Sequence, residues 1–467
     1  MSIRTVSASP TTSNAGLNTK SLQGDLTPTP WVRNPQWLTL PTVLSTDQKM
    51  VGLHAIFPLS NFIALVAAGD YTVDWGDGVT ENFAANVVAY HEYDYANTAF
   101  NGTLTDAGYK QAIVTVTPQA GQNLTYLNLN QKHNQTDLQA YSSGFLDIAV
   151  SSVELTDLRV AVSTPSNTTG VVSFNLLEQF SLINSDCKQL NNFFTGARSL
   201  QSIPNFVTSL DAPVTASVTF IDAGDLVTLS NHGFRNGDSV IFTAITTTTG
   251  ITIDTLYYII NTTTDTFQVS TTYGGSAVAL TTDGTGTVVY GTTMQSMFLG
   301  CSSLTTVPLF NTASVTTMSG MFNSCSSLTT VPLFNTASVT TMASMFGSCP
   351  SLTTVPLFNT ANVTSMSSMF NSCVLLTTVP ALVTTAVTSS GNFTSMFNAC
   401  SSLTRIEAKD FNFTFSVASC KLSAVALDEI YTNLPTTTGQ TITVSGNYGT
   451  AGDDPTIATA KGWTVTG

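Results

Sequence analysis

The chain has 467 residues, 42% of them apolar, so it can bury packed cores and is not a disordered polymer. Only 9% of residues are charged, against roughly 25% in ordinary soluble domains, and 28 Asp and Glu outnumber 14 Lys and Arg for a net charge of −14. That balance excludes nucleic acid as a partner, since phosphate binding needs clustered cations, and the abundance of Thr favours strands over helices.

Residues 1–44 are rich in Ser, Thr, Pro and Asn and show little periodicity, which predicts a flexible arm, pinned only where a neighbour holds it. The opening MSIRTVSASPTTSNAG has no apolar core of the roughly 7–15 residues that a secretory signal needs. The best apolar run, Phe62–Ala68, is far short of the ~20 residues of a membrane helix. Residues 45–120 carry YTVDWGDG (Tyr71–Gly78), then Tyr90–Tyr95 and AIVTVTP (Ala112–Pro118), short strands around an Asp-Gly turn. Asp74 and Asp77 are the candidate acidic pair. A calcium shell of about six to eight oxygens would need a further Asp-rich loop, which is absent, so both are expected to bond their own turn while Trp75 packs inside.

Residues 121–209 open a repeat region with LTYLNL (Leu124–Leu129), Val153–Leu155 and a unit FFTGARSLQSIPNF that aligns without gaps with MFLGCSSLTTVPLF. The second half of that unit resumes only at Gly291, so 210–290 reads as an inserted small all-β module. Its β-branched runs are broken by Asn-Gly and Gly-Gly turns. His232 lies beside one such turn with no partner in sight and is expected to be structural.

Residues 291–420 contain three near-identical units starting at Leu304, Leu328 and Leu352, with cysteines 24 apart at Cys301, Cys325, Cys349 and Cys373. Cys400 follows after a three-residue insertion near 385–392. A period in this range is that of a leucine-rich-repeat-type solenoid. LTTV is expected as a strand ended by Pro308, Pro332 or Pro356. Met-x-x-Met-Phe is expected as one helical turn facing inward. Equivalent side chains in a solenoid point the same way, so the cysteines cannot converge on a metal, and Ala197 already replaces one of them. They are expected to be reduced, buried packing groups. Asn311, Asn335 and Asn359 recur in register. They are either candidate contacts of an exposed repeat face or turn residues bonding their own backbone. From Gly284 to Thr404 there is no Asp, Glu, Lys, Arg or His, so no acid–base site lies wholly there. Residues 421–467 include a short amphipathic helix in ALDEIYTNLP and read as the cap that a solenoid's last coil needs.

Three resemblances follow from these residues. VTTMSGMFNSCSSLTTVPLFNT resembles the repeats of BspA-like bacterial surface leucine-rich-repeat proteins, which implies display and adhesion without catalytic residues. YTVDWGDG with its following strands resembles the PKD-like immunoglobulin-type sandwich. HGFRNGDSVIFT…LYYIINTTTDTFQVS resembles a β-module recurrent in phage tail and other virion proteins. Together they imply a mainly β chain: a leucine-rich-repeat-type solenoid with an N-terminal immunoglobulin-like sandwich and an inserted β domain. The function they imply is a structural component of a bacteriophage virion, exposed on tail or head, as a fibre, baseplate-peripheral or decoration subunit. It would be multi-copy, assembled in the host cytoplasm, and held to other virion proteins by the arm and sandwich. Host surface glycan or protein would be its contact, with no membrane insertion, nucleic acid, metal or cofactor. The alternative is a bacterial BspA-like adhesin, against which the lack of a sorting tail after Gly467 is read. A tailspike-type glycosidase needs paired carboxylates about 5–10 Å apart, and the charges are too scattered to nominate a pair, so no enzymatic activity is expected.

Overall fold

The computed structural model describes residues 32–467 except 60, 132–140, 161–171, 186, 188–189, 191–192, 205, 207–213, 231, 233, 235–238, 254, 272–274, 291 and 408. The expected arm over 1–31, and the turns expected within 235–238 and at 272–274, lie outside the described residues. The arm ends well before residue 44. The indole of Trp37 is buried and donates to the Tyr109 hydroxyl (2.8 Å), and Arg33 reaches Asp147 (3.0 Å). Burying a tryptophan outweighs the Pro- and Ser-rich composition around it.

Two sheets follow. Their strands are β1 (Lys49–Ile56), β2 (Phe62–Ala68), β3 (Tyr71–Asp74), β4 (Thr80–Phe83), β5 (Ala89–Glu92) and β6 (Lys110–Pro118), then β7 (Tyr126–Asn128), β8 (Tyr141–Ser142), β9 (Phe145–Ser152), β10 (Asp157–Arg159), β11 (Val172–Ser173) and β12 (Gln179–Ser185). One sheet has the order β12-β9-β1-β6-β3-β4 and the other β10-β7-β2-β5. Strands β1 to β6 pair antiparallel, whereas β7 with β10, β8 with β11 and β9 with β12 pair in parallel. The antiparallel part meets the parallel part through β1–β9 and β2–β7. Both sheets therefore run straight across residue 120 into the first coils of a β-solenoid. At this seam Gly144 lies so close to His54 that an added Cβ would stand 2.5 Å from its Cε1, so only glycine fits.

Strands β13 (Val214–Ile221), β14 (Leu226–Thr228), β15 (Ser239–Thr246), β16 (Leu256–Ile260), β17 (Thr266–Ser270) and β18 (Gly284–Tyr290) close into a barrel in the order β13-β14-β17-β16-β15-β18. The barrel has its own apolar core, including Phe220, Phe242, Tyr257 and Phe267. Gln295 of the solenoid donates to its Tyr258 hydroxyl (2.6 Å). Meanwhile the coil before the barrel bonds directly to the coil after it. Phe194 N donates to Met297 O (2.8 Å) and Gly196 N to Leu299 O (2.7 Å).

From Met294 on, each coil repeats the one before it. In the Met-x-x-Met-Phe stretch every second N–H donates to the next coil: Met318 N to Thr341 O, Gly320 N to Ala343 O, Phe322 N to Met345 O and Ser324 N to Gly347 O, at 2.8–3.1 Å. The stretch is therefore not the expected helical turn. Two residues per coil are left-handed, for example Ser344 (φ 55°) and Ser348 (φ 56°), at slots held elsewhere by Gly320 and Gly300. This breaks the helical run and turns alternate N–H groups along the solenoid axis. The expected LTTV strand also differs. It forms only at Thr378–Val379, paired in parallel with Arg405–Ile406. Earlier coils make a single backbone bond here, such as Thr329 N to Thr305 O (3.2 Å). Pro332 and Pro356 have no N–H for the preceding coil, whereas Glu407 at the equivalent position donates to Val379 O (2.9 Å). The three-residue insertion leaves as a 3₁₀ turn, Ser390–Phe393, exposed at Ser390 and Gly391 with Phe393 packed in the core, and Asn392 O rejoins the ladder by accepting from Met366 N (2.9 Å).

One apolar core runs from Met50 through every coil to Trp463. Its axis is a column of near-parallel rings: Phe298–Phe322 at 5.4 Å and 1°, Phe322–Phe346 at 5.8 Å and 6°, Phe346–Phe370 at 6.0 Å and 2°. The far end is closed by the helix Ala424–Asn433, N-capped by Ser423, and by parallel strands Phe415–Ser416, Gln440–Thr443 and Trp463–Thr466. Lys461 Nζ donates to Tyr431 O, Thr432 O and Leu434 O at that helix's C-terminus (2.5–3.2 Å). Among the described residues no helix is long and apolar enough to cross a membrane.

Phe346→Ala empties a ring site in the middle of the column and is expected to lower unfolding free energy by about 3–5 kcal/mol. Ser348→Gly relieves a left-handed serine and is expected to raise it by up to about 1 kcal/mol. Denaturant titrations of both variants check this. A neutral Phe346→Ala would show that the column does not carry the stability.

Candidate functional site

The cysteine column packs as single thiols. Cys187, Cys301, Cys325, Cys349, Cys373, Cys400 and Cys420 are all buried and free. Each thiol of the central run donates to a carbonyl one coil back: Cys325 Sγ to Phe298 O, Cys349 to Phe322 O, Cys373 to Phe346 O and Cys400 to Phe370 O, all 3.0 Å. Burial pushes these thiols far above their usual range, so they stay protonated and unreactive. Beside them runs a column of buried threonines. Thr312, Thr336, Thr360 and Thr384 each donate 2.8 Å to a main-chain carbonyl of the next coil. Sequence reading missed this column, although NT recurs at the same spacing as the cysteines.

Asn311, Asn335 and Asn359 form an exposed column. Their Oδ1 atoms accept from Ala313, Ala337 and Ala361 N at 3.2–3.3 Å, two residues on. The side chains thus hold their own turns through the oxygen.

Asp74 Oδ1 accepts from Gly76 N (2.9 Å) and Asp77 Oδ1 from Val79 N (3.0 Å). The second oxygen of Asp77 meets His91 Nε2 at 2.8 Å. His91 stacks flat on Trp75 (5.0 Å, 9°), Trp75 Nε1 donates to Glu81 (2.7 Å), and the Tyr93 hydroxyl donates to Trp75 O (2.9 Å). Asp74, Asp77, His91, Glu81 and Tyr93 each place one or more polar atoms in bonds to this turn or to Trp75. His91 and Glu81 were not singled out from the sequence, although the AYHE of β5 places His91 between residues of a strand. No group of three or more His, Cys, Asp or Glu suited to a metal occurs among the described residues.

His232 lies in the barrel core between Phe234 (4.8 Å) and Phe267 (5.2 Å), and its Nδ1 accepts from Phe234 N (2.9 Å). Burial lowers its pKa. Asp74 and Asp77 thus sit at the β3–β4 turn, His232 in the barrel core and the asparagines on the coils.

Two further groups that burial perturbs, one basic and one acidic, sit at the seam between β1 and β9. His54 is fully enclosed by Tyr93, Phe145 and Gly144, and neither ring nitrogen has a hydrogen-bond partner. Burial lowers its pKa to about 3. Asp147, on β9, is pushed up to about 6 by burial against the pull of Arg33. Unfolded His54 takes its proton near pH 6.5, whereas folded His54 takes it only near 3. Its contribution to stability is therefore complete above about pH 6.5 and is lost progressively on acidification. Asp147 has the opposite sign, its contribution being lost as pH rises through about 6. His54→Leu removes the first term and leaves the second. We expect equal or higher stability than wild type at pH 7. Below about pH 6.5 the gap should widen by up to about 1.4 kcal/mol per pH unit. Parallel stability–pH curves for the two proteins would refute the assignment.

The sequence family described as "Mycoplasma protein of unknown function, DUF285" matches residues 292–413, the coils between the barrel and the C-terminal cap. No curated protein matches the chain, and no solved structure does.

Proposed function

We propose that the chain is a structural component of a bacteriophage virion, exposed on tail or head, with no catalytic role. The observation that carries this reading is the single core that runs from the β1–β6 sheets through every coil to Trp463. It makes one stiff body suited to display, in which the buried cysteine thiols and the Thr312, Thr336, Thr360 and Thr384 hydroxyls bond between coils. In this reading β1–β6 are a PKD-like, immunoglobulin-type sandwich that anchors the chain to other virion proteins. The coils are a BspA-like variant of the leucine-rich-repeat solenoid. The barrel is an inserted virion-type module presented toward the host surface, with host glycan or protein as its contact. The separate barrel core supports the last assignment.

The family match favours a second reading, because that family is described from a bacterium and not from a phage. In it the chain is a bacterial surface adhesin with the same architecture.

Peptide mass spectrometry of gradient-purified, nuclease-treated phage particles and, separately, of washed envelopes of the host decides between them. Recovery at fixed stoichiometry in particles is the expected result. Recovery in envelopes alone would overturn the virion reading in favour of the adhesin.

A further inference from the structure

His54 and Phe145 pack reciprocally across the β1–β9 ladder. The Phe145 ring lies on Gly52, where an added Cβ would stand 2.4 Å from its Cε1, and the His54 ring lies on Gly144, where one would stand 2.6 Å from its Nε2. The two rings meet edge to face at 5.3 Å. The ladder is irregular at this point. Leu53 pairs with Asp147 and His54 with Phe145, so Leu146 is bulged out of the register. β12 pairs with β9 only from Asp147 onward, with one further bond from Glu178 N to Leu146 O (2.9 Å). Gly144 and Phe145 lie past both, and Ala55 N donates to Gly144 O (2.8 Å).

The imidazole is 1% exposed, and neither nitrogen has a hydrogen-bond partner. Packing alone does not call for it, because an apolar side chain fills such a slot without leaving two polar atoms unbonded. What an imidazole adds is a proton site that ordinarily titrates near neutral pH. The groups around it, among the described residues, leave that proton without a counter-charge. Tyr93 faces the ring at 5.6 Å and gives its hydroxyl to Trp75 O, with Asp74, Asp77 and His91 on the Tyr93 side. On β6, Ala112 stands opposite His54, and Lys110, two residues along, turns its Nζ to Tyr95 O (2.7 Å). On β9, Asp147 lies beyond the bulge and holds Arg33 (3.0 Å).

We infer that this end of the β1–β9 ladder is an acid-operated joint. A proton on His54 puts a charge with two N–H donors into a slot where neither finds an acceptor. Water must then reach the ring. β6 pairs with β1 from Met50 to Ile56, and Tyr93 is tied to Trp75, so the side held least is that of Gly144 and Phe145. Protonation therefore unpairs these two residues from β1, while the ladder beyond Leu146 and the β2–β7 ladder stay closed. The strands β1–β6 and the coils remain joined but lose one fixed point of the seam. Because the closed joint excludes the proton, its advantage is complete above about pH 6.5 and is lost as pH falls. The inference rests on the seam alone and holds for either reading of the function.

The test is amide hydrogen exchange of the full chain from about pH 7.5 to about pH 4.5, each amide corrected for its intrinsic rate. The reporter is the Ala55 N–H, bonded to Gly144 O across the joint. The reference is the Phe346 N–H, bonded to Met369 O within the coils (3.0 Å). Ala55 protection should fall about tenfold per pH unit below about 6.5, and so about 100-fold by pH 4.5. It should depend little on low urea, because few residues open, whereas Phe346 should stay better protected and respond steeply to urea. His54→Leu should abolish the pH dependence at Ala55. His54→Gln, which keeps a polar group that takes up no proton, should do the same. Three results would overturn the inference. One is Ala55 and Phe346 exchanging together at every pH and urea concentration, since only global unfolding then frees His54. Another is a flat profile at Ala55 in the wild type, since Asp147 opening together with His54 would cancel its slope between about 6 and 3.8. The third is a slope unchanged in both variants.

Discussion

The structure depends on one constraint: every coil must lie in register on the coil before it. A single coil has no interior. Its Phe, Met, Leu and Cys side chains are buried only because the same residues of the neighbouring coils stand above and below them. The hydrogen bonds obey the same rule. The alternate N–H groups of the Met-x-x-Met-Phe turn, the buried threonine hydroxyls and the cysteine thiols all find partners one coil away. A shift of one residue would break all three sets and put methionine on one side, or asparagine, glycine or leucine on the other, where phenylalanines stack. That is why three units are nearly identical in sequence, down to side chains that touch no ligand. It is also why the one length change, before Phe393, is expelled as a surface turn and not absorbed inside.

The same constraint makes the interior chemically quiet. A thiol whose proton is given to a buried carbonyl is neither nucleophile nor metal ligand. A threonine hydroxyl fixed at 2.8 Å to the next coil has lost its freedom to bind anything else. Recognition must then come from outward-facing columns, from the barrel, or from the ends. The outward columns differ from an ordinary protein surface in having no charge over about five coils. They offer no charge by which a partner could be steered.

Much of this was legible in the sequence because repetition converts spacing into geometry. The cysteine period announced the coil length, and Ala197 in place of a cysteine announced a packing role. The aspartates of the WGDG turn bond that turn, as their spacing to Gly76 and Val79 allows. Other features were hidden for identifiable reasons. The Met-x-x-Met-Phe spacing fits a helix, but Ser296, Ser344 and Ser368 adopt positive φ, which serine does not advertise as glycine does. The LTTV alternation fits a strand, yet each strand needs a donor from the following coil, and proline removes it. That is a property of two coils together and not of either alone. His54, flanked by apolar residues in β1, gave no sign that it would be enclosed against Gly144, a residue 90 positions away. The seam itself was invisible, because composition changes at residue 120 while the sheets do not.

That seam answers a problem every solenoid faces. The first coil presents an open sheet edge and an uncovered apolar end, a ready template for unwanted pairing. Here the chain covers it before the solenoid begins. β1 pairs with β9, and β2 pairs with β7, so both sheets continue into the antiparallel strands β1–β6. Those strands and the solenoid share one core, and neither can tilt against the other without breaking two ladders. At the opposite end the helix Ala424–Asn433 and Trp463 close the last coil by packing instead of by pairing. The barrel attaches differently. The coil containing Phe194 rests on the coil containing Phe298 with ring centroids 5.4 Å apart, no wider than between later coils. The main body therefore continues as though the barrel were not there. The barrel keeps its own core, so sequence change within it is free of the register that disciplines the coils.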